Sequence, residues 1–427
     1  MKSSWLNNMK KCFSTLFMLF AALMSYAQGY ADLIKANPAM AAANLMNYHF
    51  DESVYTPAPK GYEEFYISHF GRHGSRYDAD DEHMLAAWSI MKKADSLGIF
   101  SKTGKELFKE FDPVMLEQDG MIGMLTSLGA REHREIAMRM VANFPQVFKG
   151  KNGRDEVLCQ SSIVPRCIMS MTNFAHSLSA NTKGLEFKFV TGQKYYDQLA
   201  YHPKERPALA AAKVQEDSIR RAVSKPLELV AYLFADVDKA LEIIGDPYAF
   251  ERSLYLACNV GHLTDHGTCL LKYFPEDILI RNWEIRNPRF YMAYGMADGT
   301  VHHHEGIGRR ILRDFISRAE MAVEQGNGIV ADLRFGHDTG LLPFLGYIGL
   351  EGMDIRPSYA EVNQMWNTSV SMCMGSNVQM IFYRNKQEDI LVKIMYNEKE
   401  TAIPALKTMS GPYYKWSELK EYLNSLL

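Results

Sequence analysis

The sequence predicts an α/β fold, a sheet with helices on both faces, interrupted by an inserted and mainly helical lobe. Three observations carry this. Apolar runs of strand length, such as "EEFYISHF" and "GIVADLRFGHD", alternate with stretches of helical spacing. Between about 194 and 299 the strand runs give way to alanine-rich, charged and aromatic helical patterns. The chain has 427 residues, 47% of them hydrophobic, which is enough to bury a large core and to build two or three lobes.

The first segment reads as an address rather than as structure. Lys10 and Lys11 precede an apolar run from Cys12 to Met24, and Ser25 and Ala27 are small residues suited to cleavage after Ala27. Residues 1–27 are therefore expected to be an export signal peptide, delivering the chain to a periplasm or outside the cell. The run is short for a membrane span, and no later segment is long enough to be one. An oxidising compartment permits disulfides among Cys159, Cys167, Cys258, Cys269 and Cys373. Cys258 and Cys269 could close a short loop, but spacing does not settle the pairing, and an odd count leaves at least one thiol free. None has C-x-x-C spacing, which argues against a structural metal.

A helical stretch comes next, then "EEFYISHF", rich in β-formers, as a buried strand ending at Gly71. In "LTSLGAREHREIAMRMVANFPQVF", Thr126 is a plausible cap, and Ile136, Met140 and Phe144 follow at helical spacing. The strand "EVLCQ" leads into "SSIVPRCIMSMTNFAHSL". There Pro165 and Arg166 occupy a first helical turn, and Ile168, Met171, Ala175 and Leu178 share one face. The lobe at 194–299 carries "ALAAAKVQEDSIRRAV" and "PLELVAYLFADVDKALEII". After it come the amphipathic "RRILRDFISRAEMAVEQ", the strand in "GIVADLRFGHD", and "NVQMIFYRN" with "DILVKIMYN" as a strand pair. The expected organisation is a core in two parts, 28–193 and 300–427, around the insertion at 194–299. No internal repeat or low-complexity tract is present.

With 47 basic and 50 acidic side chains and a net charge of -3, there is no general attraction to nucleic acid. Any affinity for anions has to be local, and "SHFGRHGSRYD", Ser68 to Asp78, supplies it. The loop lies at the carboxyl end of a strand, where open α/β sheets hold ligands. Arg72 and Arg76 each offer a planar fork of donors that suits a tetrahedral dianion. Their field keeps His73 neutral, with one ring nitrogen free as a nucleophile. Gly71 and Gly74 let the backbone turn sharply and approach an anion closely. Arg166 adds a third guanidinium in a helical first turn, where amide dipoles already favour anions. In "RFGHDTGLL", His337 and Asp338 end a strand and open a helix whose first turn is expected to hold Pro343. A histidine, three arginines, a second histidine and a carboxyl group are what phosphoryl transfer to a histidine requires.

"RHGSR" and "HD" resemble the two signatures of the histidine acid phosphatases, a branch of the histidine phosphatase superfamily. "RHGSRY" and "GHDTGLLPFLGYIGLEG" are similar to its phytase and multiple inositol polyphosphate phosphatase members, and "LTSLGAREH" and "SSIVPR" to intervening segments. The resemblance spans about Glu64 to Gly352. It implies a large α/β domain with a mixed, mainly parallel central sheet and an inserted α-helical cap, and catalysis without a metal or cofactor. His73 would become phosphohistidine, while Arg72, Arg76, Arg166 and His337 would clasp the phosphate oxygens. Asp338 would protonate the leaving alkoxide and then help to activate water. The implied reaction is hydrolysis of phosphomonoesters, inositol polyphosphates such as phytate foremost and simple monoesters as the alternative. The inositol polyphosphate phosphatases usually carry His-Ala-Glu where this chain has His337-Asp338-Thr339, the phytase and acid phosphatase version, which bears on substrate range.

Further phosphates would call for further cations, and Lys194, Lys204, Arg206 and Arg281 are candidates by composition. "VHHHEG", His302 to Glu305, could suggest a metal centre, but adjacent histidines point in different directions and no matching carboxylate pattern accompanies them. A non-catalytic binder of phosphorylated ligands would need a damaged core, whereas nucleophile and acid are both present. Asp338 must be protonated to act as an acid; nearby arginines oppose this and substrate phosphate favours it, so activity is expected to peak at mildly acidic pH. The sequence leaves the oligomeric state open.

Overall fold

The computed structural model describes residues 29–150, 155–200, 206–298 and 300–427, so the expected signal peptide and Lys204 lie outside the described residues. One mixed sheet organises the chain. Its strands are β1 (Glu63–Arg72), β2 (Glu156–Ser161), β3 (Glu186–Thr191), β4 (Ile329–Gly336), β5 (Asn377–Arg384), β6 (Ile390–Tyr396), β7 (Lys399–Thr401) and β8 (Tyr413–Lys415). They lie in the order β3-β2-β4-β1-β5-β6-β7, with β8 also on β6. The run β3-β2-β4-β1 is parallel, and β5 to β8 join antiparallel.

Thirteen helices are named here: α1 (Glu82–Leu97), α2 (Lys102–Gln118), α3 (Ser127–Asn143), α4 (Pro165–Ala180), α5 (Gln193–Leu199), α6 (Pro207–Val223), α7 (Pro226–Leu233), α8 (Val237–Ile244), α9 (Pro247–Cys258), α10 (Glu276–Tyr294), α11 (Val301–Val323), α12 (Asp338–Tyr347) and α13 (Trp416–Ser425). Because successive strand side chains point to opposite faces, Tyr66 and Ile67 enter different cores. Tyr66 and Phe70 join Ile311 and Phe315 of α11, Leu341 of α12 and Leu419 of α13. Ile67 joins Ile136 of α3, Phe174 of α4, and Leu333 and Phe335 of β4. Strands buried on both faces read as near-continuous apolar runs, and that is how β1 and β4 stand out in the sequence.

A third apolar cluster is wholly helical at its centre. It gathers Leu229, Leu254, Ile278 and Trp283 from the 194–299 segment together with Trp88 and Met91 of α1 and Phe111 of α2. Each fully buried side chain of this size contributes about 1.5–3 kcal/mol. The apolar faces of α1 and α2, which precede the segment by some hundred residues, are thus covered by it.

One local reading is refined and one is corrected. "PLELVAYLFADVDKALEII" forms two helices, α7 and α8, because Asp236 caps the second by accepting from the Lys239 amide at 3.1 Å. Pro343 lies inside α12, beyond its first turn, where its ring nitrogen has no proton to give the Thr339 carbonyl. His302 to Glu305 fall at the start of α11, and among the described residues no group of three or more potential metal ligands clusters.

Two buried histidines, His69 of β1 and His133 of α3, share one core. His69 and His133 pack against Phe174 and Phe335, with ring centroids 5.3–6.3 Å apart. Burial holds His69 well below its ordinary pKa and lowers His133 to about 3. Below about pH 6.5 the unfolded chain binds these protons and the folded chain does not, so stability falls as pH falls, by about 1.4 kcal/mol per pH unit for each. The melting temperature is therefore expected to drop between about pH 7 and pH 5, with a shallower slope in His133→Leu. Melting that is flat with pH would contradict this.

Candidate active site

The site is assembled where three parallel strands end. Arg72 of β1 pairs with Gly336 of β4, and Ser161 of β2 with Phe335, so His73, His337 and the turn into α4 emerge together. The backbone of His73 extends the ladder: its amide donates to Gly336 O at 3.0 Å, and its carbonyl accepts from Gly375 N at 3.0 Å. His73 Nδ1 lies 2.9 Å from Gly74 O. A carbonyl only accepts, so Nδ1 carries the proton and Nε2 presents its lone pair. The His73 and His337 rings meet edge to face, centroids 5.5 Å apart. Burial and then the guanidiniums of Arg166 and Arg72 hold His73 neutral, well below the usual imidazole range.

The loop carrying His73 is clamped onto the start of α3. Thr126 donates to Ser75 O through both its amide and its hydroxyl, at 3.0 and 3.1 Å. Buried Glu132 accepts from Ser75 N and Ser75 Oγ, both at 2.7 Å, and from Tyr48 N at 2.9 Å. Burial raises the Glu132 pKa against the pull of these donors. The fit leaves no room for side chains between the two segments. A Cβ on Gly74 would meet Gly129 O at 2.5 Å, and one on Gly129 would meet Ser75 O at 2.1 Å. The "LTSLG" start of α3 therefore serves as the seat of the loop.

Around the imidazole stand the remaining residues read from the sequence. Arg166, in the first turn of α4, reaches Gly123 O at 3.3 Å and brings Nη2 within 3.5 Å of His337 Nδ1. Ser162 Oγ holds the other nitrogen of His337 at 3.1 Å. Burial and the neighbouring Arg166 lower Arg76 to about 10, against the opposing pull of Asp78 and Asp338. Arg72 is fully buried; Nη1 donates to Asn44 O and Met372 O at 2.7 and 2.8 Å, and Nη2 pairs with Asp338 Oδ2 at 2.8 Å. Asp338 follows the N-cap residue His337 rather than capping α12 itself, and its Oδ1 accepts from Thr339 N at 2.9 Å. Burial pushes the Asp338 carboxyl up, but Arg72, Asn44, His337 and Arg76 outweigh it and leave the pKa below the ordinary value.

His73, Arg76, Arg166, His337 and Asp338 line one cavity of about 210 Å³. Its opposite wall comes from α6 and α10: Lys213, Arg286, Arg289, Leu209, Phe290 and Tyr294. Lys213, Arg286, Arg289 and Asn44 were missed by sequence reasoning. Buried Glu216 pairs with Arg289 at 2.9 Å, Arg286 at 3.8 Å and Arg220 at 3.4 Å, tying the two helices of that wall together. Of the cations chosen by composition, the three among the described residues are elsewhere. Lys194 lines a separate open groove with Arg310 and Arg313, Arg281 pairs with Asp277 on its own helix, and Arg206 starts α6 outside the cavity lining.

No family model matches the chain. Its fold does have known counterparts. A multiple inositol polyphosphate phosphatase of Bifidobacterium longum, solved with inositol hexasulfate, superposes with a TM-score of 0.70 over 90% of this chain and 97% of that one, at 19% identity. The phytase from D. castellii gives 0.67 over 91% and 85%, at 14% identity. Hafnia alvei phytase with myo-inositol hexakis sulphate gives 0.53 over 87% and 98%, at 10% identity. The chain shares their fold. In this phytase-like fold the four site residues that line the cavity beside His73 arrive from β1, β4 and the first turn of α4, as the parallel half of the sheet dictates.

The clamp can be tested at its tightest point. Gly129→Ala forces the Ser75 backbone away and is expected to cost about 1–3 kcal/mol of stability and to weaken binding of inorganic phosphate. Melting and phosphate affinity equal to the parent's would show that the loop does not depend on this contact.

Proposed function

We propose that the protein is a phosphomonoesterase of the histidine acid phosphatase kind, acting on inositol polyphosphates such as phytate. One observation carries the reading: the free Nε2 of a neutral histidine shares a cavity with five cationic side chains and a single carboxyl group. In the reaction, Nε2 attacks phosphorus, the bond from phosphorus to the ester oxygen breaks, and Asp338 gives its proton to that oxygen. Water then takes the phosphoryl group from His73, giving up a proton to Asp338. Arg76, Arg166 and His337 bind the phosphoryl oxygens, where preorganised donors stabilise the charge spread over the transition state. Arg72, buried behind Asp338, adds positive charge from beneath.

The acid is the delicate part. Against burial, Arg72 behind it, the Asn44 amide, and His337 and Arg76 of the phosphate site keep the Asp338 carboxyl ionised in the free protein. A phosphate dianion among them offsets their field and raises that pKa, so the proton is loaded with the substrate. His73 stays unprotonated in acid because burial and the same charges oppose its protonation. Activity then falls on the alkaline side as Asp338 loses its proton in the complex.

Charge also supports the substrate class. A single phosphate dianion leaves positive charge uncompensated on the α6–α10 wall, whereas a polyphosphorylated ring compensates both walls. The B. longum protein of the same fold was solved with inositol hexasulfate, a polyanion of that shape. Release into a periplasm or the medium after cleavage near Ala27 belongs to the same proposal, since phytate outside the cell is then within reach.

The experiment is phosphate release, with chelator present, from inositol hexakisphosphate, a sugar phosphate and an aryl phosphate between about pH 4 and pH 9. The hexakisphosphate is expected to give the highest kcat/KM, with an optimum below pH 7. Arg289→Ala should raise its KM about tenfold and that of the aryl ester much less. A rate still climbing above about pH 8, or saturable binding with no phosphate released, would overturn the proposal.

A further inference from the structure

Asn44 belongs to none of the motifs, yet it closes the site from the N-terminal side. It is the second-to-last residue of the 3₁₀ segment Pro38–Leu45 and lines the cavity. Its two polar ends do different work. The side-chain Nδ2 donates to Asp338 Oδ2 at 3.0 Å, and the backbone carbonyl accepts from Arg72 Nη1 at 2.7 Å. Arg72 in turn places Nη2 on the same Oδ2 at 2.8 Å. Asn44, Arg72 and Asp338 thus form a closed triangle in which one carboxylate oxygen takes the Asn44 hydrogen bond and an ion-pair contact with Arg72.

The backbone leading into Asn44 is held under strain. Ala43 has φ 52° and ψ −127°, a conformation that residues with a Cβ rarely adopt. Such strain persists only where the surroundings over-determine it, and it clusters at functional sites. Here Ser369 Oγ donates to Met40 O at 2.6 Å, and His262 Nε2 contacts Leu45 O at 3.2 Å, pinning both flanks. The outcome is an amide aimed at the carboxyl group across 294 positions of sequence.

We propose that Asn44 is a positioning residue for Asp338: it fixes the orientation of the carboxyl group and favours its ionised form until a phosphate arrives, so that the general acid is loaded by substrate. The inference rests on the phosphatase reading of the site. Asn44 is one of several groups facing Asp338. Arg72 and Arg76 act from β1 and its loop, Arg166 and Cys167 from α4, and His337 from the adjoining turn. Of these, the Asn44 side chain is the uncharged donor, so replacing it with leucine changes no net charge. A hydrogen bond donated to an anion stabilises the anion, and removing it raises the pKa of the acid.

Two variants test this. Asn44→Leu removes the donor, and Asn44→Asp keeps the size and the backbone carbonyl but turns the donor into an acceptor. With an alkyl phosphate, whose leaving oxygen needs a proton, both are expected to lower kcat about tenfold or more. Both should also move the alkaline limb of the pH–rate profile upward by about one pH unit, Asn44→Asp further than Asn44→Leu. With an aryl phosphate of acidic phenol, which leaves without a proton, the loss should stay within about threefold. Equal losses on both esters with an unmoved profile would assign Asn44 a merely structural part and overturn the proposal, as would no change at all. A readout free of catalysis separates this from the function itself. The Asp338 carboxyl, observed in protein labelled with carbon-13 aspartate and assigned with Asp338→Asn, should titrate at higher pH in Asn44→Leu than in the parent. An unmoved titration overturns the role of Asn44 even in an active enzyme, and a shifted one supports it even if no ester is cleaved.

Discussion

The parallel pairing of β1 with β4, with Arg72 opposite Gly336, is the constraint on which the site depends. It makes two strands stop at the same level and sends His73 and His337 into one space. A slip of one residue would turn every side chain of β1 to the other face, exchanging Tyr66 and Ile67 between two different cores. The hydrophobic pattern of β1 therefore holds the nucleophile in place from several residues away. The antiparallel neighbour β5 completes the frame, because the turn before it supplies Gly375 and Ser376 to the backbone of His73 and Arg72.

Burying cations in a chain of net charge −3 carries an electrostatic cost that shapes the rest of the site. Arg72 is fully covered, and such a group is tolerated only when paired and hydrogen-bonded. Its partners are Asp338, Asn44 O and Met372 O. Arg76 and Arg166 are compensated less completely, and burial lowers the pKa of each. That leaves a prearranged positive field whose relief waits on an anion. Binding and catalysis then draw on one feature, because the donors that receive the ground-state phosphate already point where charge develops. The far wall follows the same logic, with buried Glu216 fixing Arg286 and Arg289 before any ligand enters.

What could be read in the sequence was what lies close together in it. Arg72, His73 and Arg76 fall within five positions, His337 and Asp338 are adjacent, and Arg166 follows a helix-starting proline. Each sits just past a strand run that periodicity reveals. Asn44 gave no such signal, since its role comes from a contact with Asp338 made only after folding. Cations between 194 and 299 were equally opaque. Lys194, Arg206 and Arg281 look no different from Lys213, Arg286 and Arg289 by residue type, and the packing of α6 on α10 decides which face the cavity. A buried acid on the same helix face, Glu216 three positions after Lys213, is the pattern that could have singled out that wall. The break between α7 and α8 was written in Asp236 and its capping geometry.

The central claim is that His73 Nε2 takes the phosphoryl group. The direct measurement is to mix protein with substrate, quench in alkali within milliseconds, and locate bound phosphoryl by peptide mass spectrometry. The account predicts an acid-labile phosphoryl group on the peptide containing His73, lost in His73→Ala and accumulating when Asp338→Asn slows its transfer to water. Turnover with an unmodified His73 peptide, or with the label on another residue, would contradict it.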